Sequence, residues 1–68
     1  MNQLKDKVKE LRKKRGWTQE DLARQIGVTL STIQRWEKRG GRPTRLARRE
    51  LTQLLQEVGI DIEWQIGV

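Results

Sequence analysis

Within the twenty residues TQEDLARQIGVTLSTIQRWE, Thr18 to Glu37, two helix starts stand eleven residues apart with a glycine between them. Thr18 followed by Asp21 has the T-x-x-D form of a capping box, in which a hydroxyl and a carboxylate satisfy backbone N–H groups that the helix itself leaves unpartnered. Leu22, Ala23 and Ile26 then give a short helix one apolar face, and Gly27 can adopt the left-handed conformation that ends it. Thr29 caps again. The helix after it turns Leu30, Ile33 and Trp36 inward or to the edge and spreads Ser31, Thr32, Gln34 and Arg35 around the rest. Two short helices across a tight turn are the outcome. Ala23 is small enough for the following helix to cross closely, Ile33 can fill that contact, and Leu22, Ile26, Val28 and Trp36 supply the surrounding apolar positions.

The flanking segments extend the helical reading. In NQLKDKVKELRKKRG, Leu4, Val8 and Leu11 form one stripe at i, i+4 and i+7; Asn2 can cap its start, and Arg12 to Arg15 suit the negative end of the helix dipole before Gly16. A basic amphipathic helix is also the form of a membrane-surface or calmodulin-binding segment, but this stripe is narrow and has no aromatic anchor. After the two short helices, KRGGRPT breaks the pattern as a loop. A further helix is predicted from Thr44 to about Val58, closed by Gly59, with Leu46, Ala47, Leu51, Leu54, Leu55 and Val58 as its buried stripe. Arg45, Arg48 and Arg49 at its start oppose the helix dipole, which leaves a phosphate neighbour and plain solvation both open.

Charge is distributed unevenly. Residues 1–49 hold all 15 Lys and Arg against five acids, a net +10, whereas residues 50–68 hold four acids and no cation, a net −4. A basic body points to a polyanion, and the acidic end to a different task.

TQEDLARQIGVTLSTIQRWE resembles the helix-turn-helix of Cro and repressor-type regulators, the xenobiotic-response-element class, through Gln19, Leu22, Ala23, Gly27, Ile33 and RWE at matching spacing. The likeness runs from about Lys7 to Val58. It implies a mainly α, four-helix repressor-like DNA-binding domain. Thr18 and Gln19 match positions that hold phosphates at a helix N-terminus, and Thr29 matches a phosphate-contacting cap. Leu30, Ser31 and Arg35 match positions facing base edges in the major groove, with Thr32 and Gln34 as flanking contacts. The loop cations Lys38, Arg39 and Arg42 match phosphate contacts. Arg12 and Glu37 match an ion pair that fixes the first helix against the third, which would also neutralise an acid close to DNA. Chemically, Arg35 is the residue best suited to read a base, since its fork fits O6 and N7 of guanine, while Leu30 can meet only a thymine methyl. Trp36 reads as packing rather than as a stacking platform. Gly40 and Gly41 would let backbone N–H groups approach an anion, although the Walker spacing of a nucleotide loop is absent.

From Ile60 onward the chain alternates: Ile60, Ile62, Trp64, Ile66 and Val68 with Asp61, Glu63 and Gln65 between them. Period-2 alternation is the mark of a strand with one buried face. No other segment alternates in this way, so the expected partner is the same strand of a second copy, as in some antitoxins of toxin–antitoxin pairs. The expected organisation is a DNA-binding domain at 1–59 and a dimerisation strand at 60–68, with Ile60, Ile62, Trp64 and Ile66 at the two-fold contact.

A chain of 68 residues without Cys or His has neither disulfides nor the usual zinc ligands to reinforce a small core, which makes oligomerisation the remaining common support. No cofactor or metal is assigned. An enzyme is not expected either, because His, Cys and Tyr are all missing and the acids form no evident pair. With no apolar run suited to a signal peptide or membrane helix, a soluble cytoplasmic protein with no membrane partner is expected. The sequence therefore reads as a homodimeric, sequence-specific regulator of an inverted-repeat duplex, most simply a repressor of its own operon. An antitoxin holding a toxin partner would share the DNA-binding surface. A protein-interaction module using the terminal strand would instead be indifferent to duplex DNA, and RNA binding lacks exposed aromatic platforms.

Overall fold

The stripe Leu4, Val8, Leu11 and the caps Thr18, Thr29 and Thr44 organise a computed structural model that describes residues 3–63. Helices α1 (Gln3–Arg15), α2 (Gln19–Ile26), α3 (Leu30–Arg39) and α4 (Arg45–Glu57) follow one another through short connections. Asn2, expected as the first cap, lies outside the described residues. Both α1 and α2 pack chiefly on α3, and α4 lies more lightly across α1 and α2. The core they enclose contains Val8, Leu11, Leu22, Ile33, Leu51 and Leu55, all fully buried, with Leu4, Ala23, Trp36, Ala47 and Ile60 nearly so. Ala23 and Ile33 both lie in this core, on the two short helices that pack on one another.

Thr18, Thr29 and Thr44 each accept a hydrogen bond from the N–H three residues on, from Asp21, Thr32 and Ala47 respectively. Each cap satisfies one of the donors that a helix start leaves open. Gly27 ends α2 with φ +85°, a left-handed conformation that other residues adopt only at a cost. The turn to Thr29 is therefore short and fixed in direction.

One expectation about the C-terminal part needs correction. Leu46 does not join the buried stripe of α4; it is 74% exposed. Ala47, Leu51 and Leu55 repeat every four residues along the core face, and Leu46, one residue earlier, is rotated about 100° away onto the solvent side. Leu54 and Val58 are half-buried against the core.

The dimerisation strand expected at 60–68 falls largely outside the described residues, which include only its first part. Gly59, at φ +75°, donates its N–H to the Gln56 carbonyl, and Ile60 donates to the Leu55 carbonyl at 2.8 Å. This is a Schellman termination, which brings the residue after the glycine back onto the last turn of the helix. Ile60 is consequently 4% exposed in the chain's own core, and Ile62 is half-buried against it. Among the described residues there is no strand. Trp64, Ile66 and Val68 lie outside them. Nor is any helix among the described residues long and apolar enough to cross a membrane.

Candidate nucleic-acid interface

Helix α3 has one face committed to the core and another open to solvent. Ile33 and Trp36 are buried, and so is Glu37, at 6% exposure. Ser31, Gln34, Arg35 and Lys38 are exposed. At about 3.6 residues per turn, Ser31 and Lys38 share the midline of the open face, with Gln34 on one side and Arg35 on the other. Leu30 and Thr32, both half-buried, mark its two edges. Of the base-edge candidates, Ser31 and Arg35 thus stand on the open face and Leu30 at its margin, while Gln34, the flanking candidate, is fully on that face.

The buried acid of α3 is held on two sides. Arg12 Nε donates to Glu37 Oε2 at 2.6 Å and Arg12 Nη2 donates to Glu37 Oε1 at 2.7 Å, a bidentate pair. Arg12 Nη1 also donates to the Trp17 carbonyl at 3.3 Å, and Gln19 Nε2 donates to Glu37 Oε1 at 3.3 Å. The hydrogen bonds to Glu37 hold the Arg12 guanidinium above its ordinary pKa, against the opposing effect of burial. No buried side-chain polar atom among the described residues lacks a partner. One carboxylate therefore ties the end of α1, the start of α2 and the last turns of α3 together, with its charge compensated.

The tie from Gln19 was not legible in the sequence. Gln19 matched a phosphate contact, and the structure turns its amide nitrogen inward onto Glu37, eighteen residues away. Helical spacing carries no signal for such a contact.

Thr18 and Thr29 are exposed at the starts of α2 and α3. Thr18 Oγ1 accepts from the Asp21 N–H at 3.1 Å, and the Thr18 N–H donates to Asp21 Oδ2 at 2.9 Å, completing a capping box. The Asp21 carboxyl is held below its ordinary pKa, first by the Thr18 N–H and then by Arg24, whose Nη2 lies 2.6 Å from Oδ1. Thr29 Oγ1 accepts from the Thr32 N–H and lies 3.0 Å from the Thr32 hydroxyl.

Lys38 and Arg39, expected in the loop, lie instead in the last turn of α3, with Arg42 in the loop that follows, and all three are exposed. Gly40 has a different role from the anion contact expected of it. It is buried and donates its N–H to the Trp36 carbonyl at 3.0 Å, closing α3. Gly41 remains exposed. Arg15 pairs with Glu57 and lies 5.5 Å from the centre of the Trp17 ring, joining α1 to the end of α4. Among the described residues there is no grouping of acids that could hold a metal ion.

Comparison with known proteins agrees with this layout. A family described as helix-turn-helix matches residues 8–65. An uncharacterized HTH-type transcriptional regulator of Haemophilus influenzae is 43% identical over 44 residues, covering 65% of this chain and 17% of that protein. The chain thus matches only a small part of that relative's length. No solved structure matches it.

Proposed function

The chain belongs to this helix-turn-helix family, and from that membership we propose that it is a transcriptional regulator that binds double-stranded DNA in a sequence-specific way and acts as a dimeric repressor at an inverted repeat. The observation that carries the reading is the division of α3 into a face anchored by Ile33, Trp36 and Glu37 and an open face bearing Ser31, Gln34, Arg35 and Lys38. A helix held rigidly from behind can present its front to a major groove without the loss of conformational freedom that a mobile segment would incur.

Each exposed group has a chemical part in this mechanism. The fork of Arg35 pairs with O6 and N7 of guanine, and the Gln34 amide can serve adenine at N6 and N7. The Ser31 hydroxyl reads either donor or acceptor, while Leu30 at the margin offers a thymine methyl an apolar contact. Thr18 uses its oxygen to accept from Asp21 and so keeps its O–H as a donor for a phosphate. Thr29, the cations Lys38 and Arg39 of the last turn of α3 and Arg42 of the loop after it add phosphate contacts, which position the domain and carry no base information. Because Glu37 is neutralised by Arg12, it adds little repulsion at this surface.

A second copy would place a second α3 in the next major-groove face about 34 Å away, which accounts for a palindromic site and raises specificity beyond what one short helix supplies. Repression then follows from occupancy of promoter DNA. The test is selection of bound sequences from a random duplex pool, with mass in solution measured alongside. Enrichment of an inverted repeat by a dimer is the expected result, and a pool left unenriched would overturn the regulator reading.

A further inference from the structure

Helix α4 carries its charges against its own dipole at both ends. Arg45 stands in its first turn, where the dipole is positive and no acid accompanies it, and Arg49 follows in the second turn beside the exposed Glu50; Glu57 stands in its last turn, where the dipole is negative and no cation accompanies it. Each arrangement is unfavourable in an isolated helix. Glu57 is partly compensated by Arg15. Arg45, Arg49 and, beyond the helix, Asp61 are exposed and have no ion-pair partner among the described residues.

Arg45, Arg49 and Glu57 share the solvent side of the helix with Leu46, the one large apolar side chain among the described residues that is left strongly exposed, and the exposed Asp61 follows the helix end. Read along the axis, this face passes from basic, with a leucine, to acidic. Such an order is complementary to itself when reversed, which is the condition an isologous two-fold contact must meet. Antiparallel apposition would also set each helix's positive end beside the other's negative end.

We propose that two copies of this chain pair antiparallel through the exposed faces of α4, with Arg45 and Arg49 of each facing Glu57 and Asp61 of the other and Leu46 covered at the contact. The proposal rests on the dimeric reading given above and supplies the surface that the described residues do not offer as a strand. It uses the side of α4 that faces away from the core, so pairing leaves the packing of α1 to α3 unchanged.

The test is sedimentation equilibrium of the full chain at low and high salt, with circular dichroism to verify folding. The wild type should dimerise more weakly as salt rises, since the contact is largely ionic. The double variants Arg45→Glu with Arg49→Glu, and Glu57→Lys with Asp61→Lys, should each lose self-association by tenfold or more. Mixed in equal amounts, they should form a heterodimer, because both contacts then join opposite charges. Leu46→Ala, an exposed change that spares the fold, should weaken the dimer severalfold, and it keeps the test valid if Glu57→Lys destabilises the chain by setting a cation against Arg15. A monomeric wild type, variants that dimerise as well as the wild type, or a mixture that stays monomeric would overturn the proposal. Titrating the wild type with a single half-site duplex keeps the two readings separate. A protein that pairs as described yet ignores DNA removes the regulator reading and leaves the pairing standing.

Discussion

The two faces of α3 differ in what holds them. Its inner face is anchored by Ile33, Trp36 and the buried Glu37, each in contact with another helix. Its outer face carries Ser31, Gln34, Arg35 and Lys38, all exposed. One face holds the domain together, and the other, in the proposed function, sets what it recognises. Substitutions on the two faces should therefore separate into losses of stability with recognition following, and losses of recognition at unchanged stability.

The largest effect is expected at the centre of the inner face. Trp36→Ala should cost about 3–5 kcal/mol, the usual range for removing a buried aromatic side chain. A single core of this size supplies roughly the same amount in total. The variant should therefore lose its cooperative thermal transition in circular dichroism, and a melt close to the wild type would break the division at its strongest point.

Next comes the ion pair behind α3. Arg12→Met leaves Glu37 buried without its bidentate partner. For fully buried pairs the cost is about 3–5 kcal/mol, but Arg12 is 24% exposed and Gln19 still donates to the acid, so about 1–3 kcal/mol is expected. Adding Glu37→Met should recover most of that loss, because no charge is then stranded. Urea denaturation of both singles and the double closes the cycle. A double variant less stable than either single would show that the pair itself supports the fold.

Arg35→Ala crosses to the outer face. Its stability should stay within about 0.5 kcal/mol of the wild type, while affinity for the selected site should fall by about 1–3 kcal/mol with one base position relaxed. Arg42→Ala, in the loop, should instead weaken all duplexes alike and reduce the salt slope by about one. Fluorescence anisotropy over a salt series distinguishes the two. If Arg35→Ala lowered affinity uniformly, the outer face would be a phosphate contact rather than a reader.

What could be seen beforehand follows the same division between near and distant contacts. The caps at Thr18, Thr29 and Thr44 were legible because a hydroxyl reaches the N–H three residues on, a geometry written into adjacent positions. Ser31, Gln34 and Arg35 on the exposed face of α3 followed from helical phase, whereas Lys38 read as loop because the two glycines after Arg39 hid how far the helix runs. Leu46 was misread because Leu46 and Ala47 are adjacent apolar residues at the start of α4 and only one can lie on the core side; packing against α1 and α2 selected Ala47. At Ile60 two local signals competed. Alternation favoured a strand, but the glycine before it favoured a helix termination, and the hydrogen bond to Leu55 placed Ile60 in the core. The contact from Gln19 to Glu37 joins residues whose proximity depends on how α2 and α3 cross, so no local pattern announced it.

The smallest expected effect lies at the junction of the two regimes, in the cap of α2. Asp21 accepts from the Thr18 N–H and from Arg24, and both hold its carboxyl below the ordinary aspartate value of about 4. A group whose folded pKa is depressed contributes stability above its unfolded pKa and loses that contribution as pH falls through the folded value. Acidification from about pH 5 downward should therefore weaken the cap progressively. Because Asp21 lies at the surface, the effect should be modest and should shrink in high salt. Asp21→Asn keeps an oxygen able to accept from Thr18 but removes the titrating charge. Its thermal stability should fall less steeply with acid than that of the wild type, and the two curves should converge at low pH. Parallel curves across the whole acid limb would mean that Asp21 supports the start of α2 only as a neutral hydrogen-bond acceptor and that its charge contributes nothing.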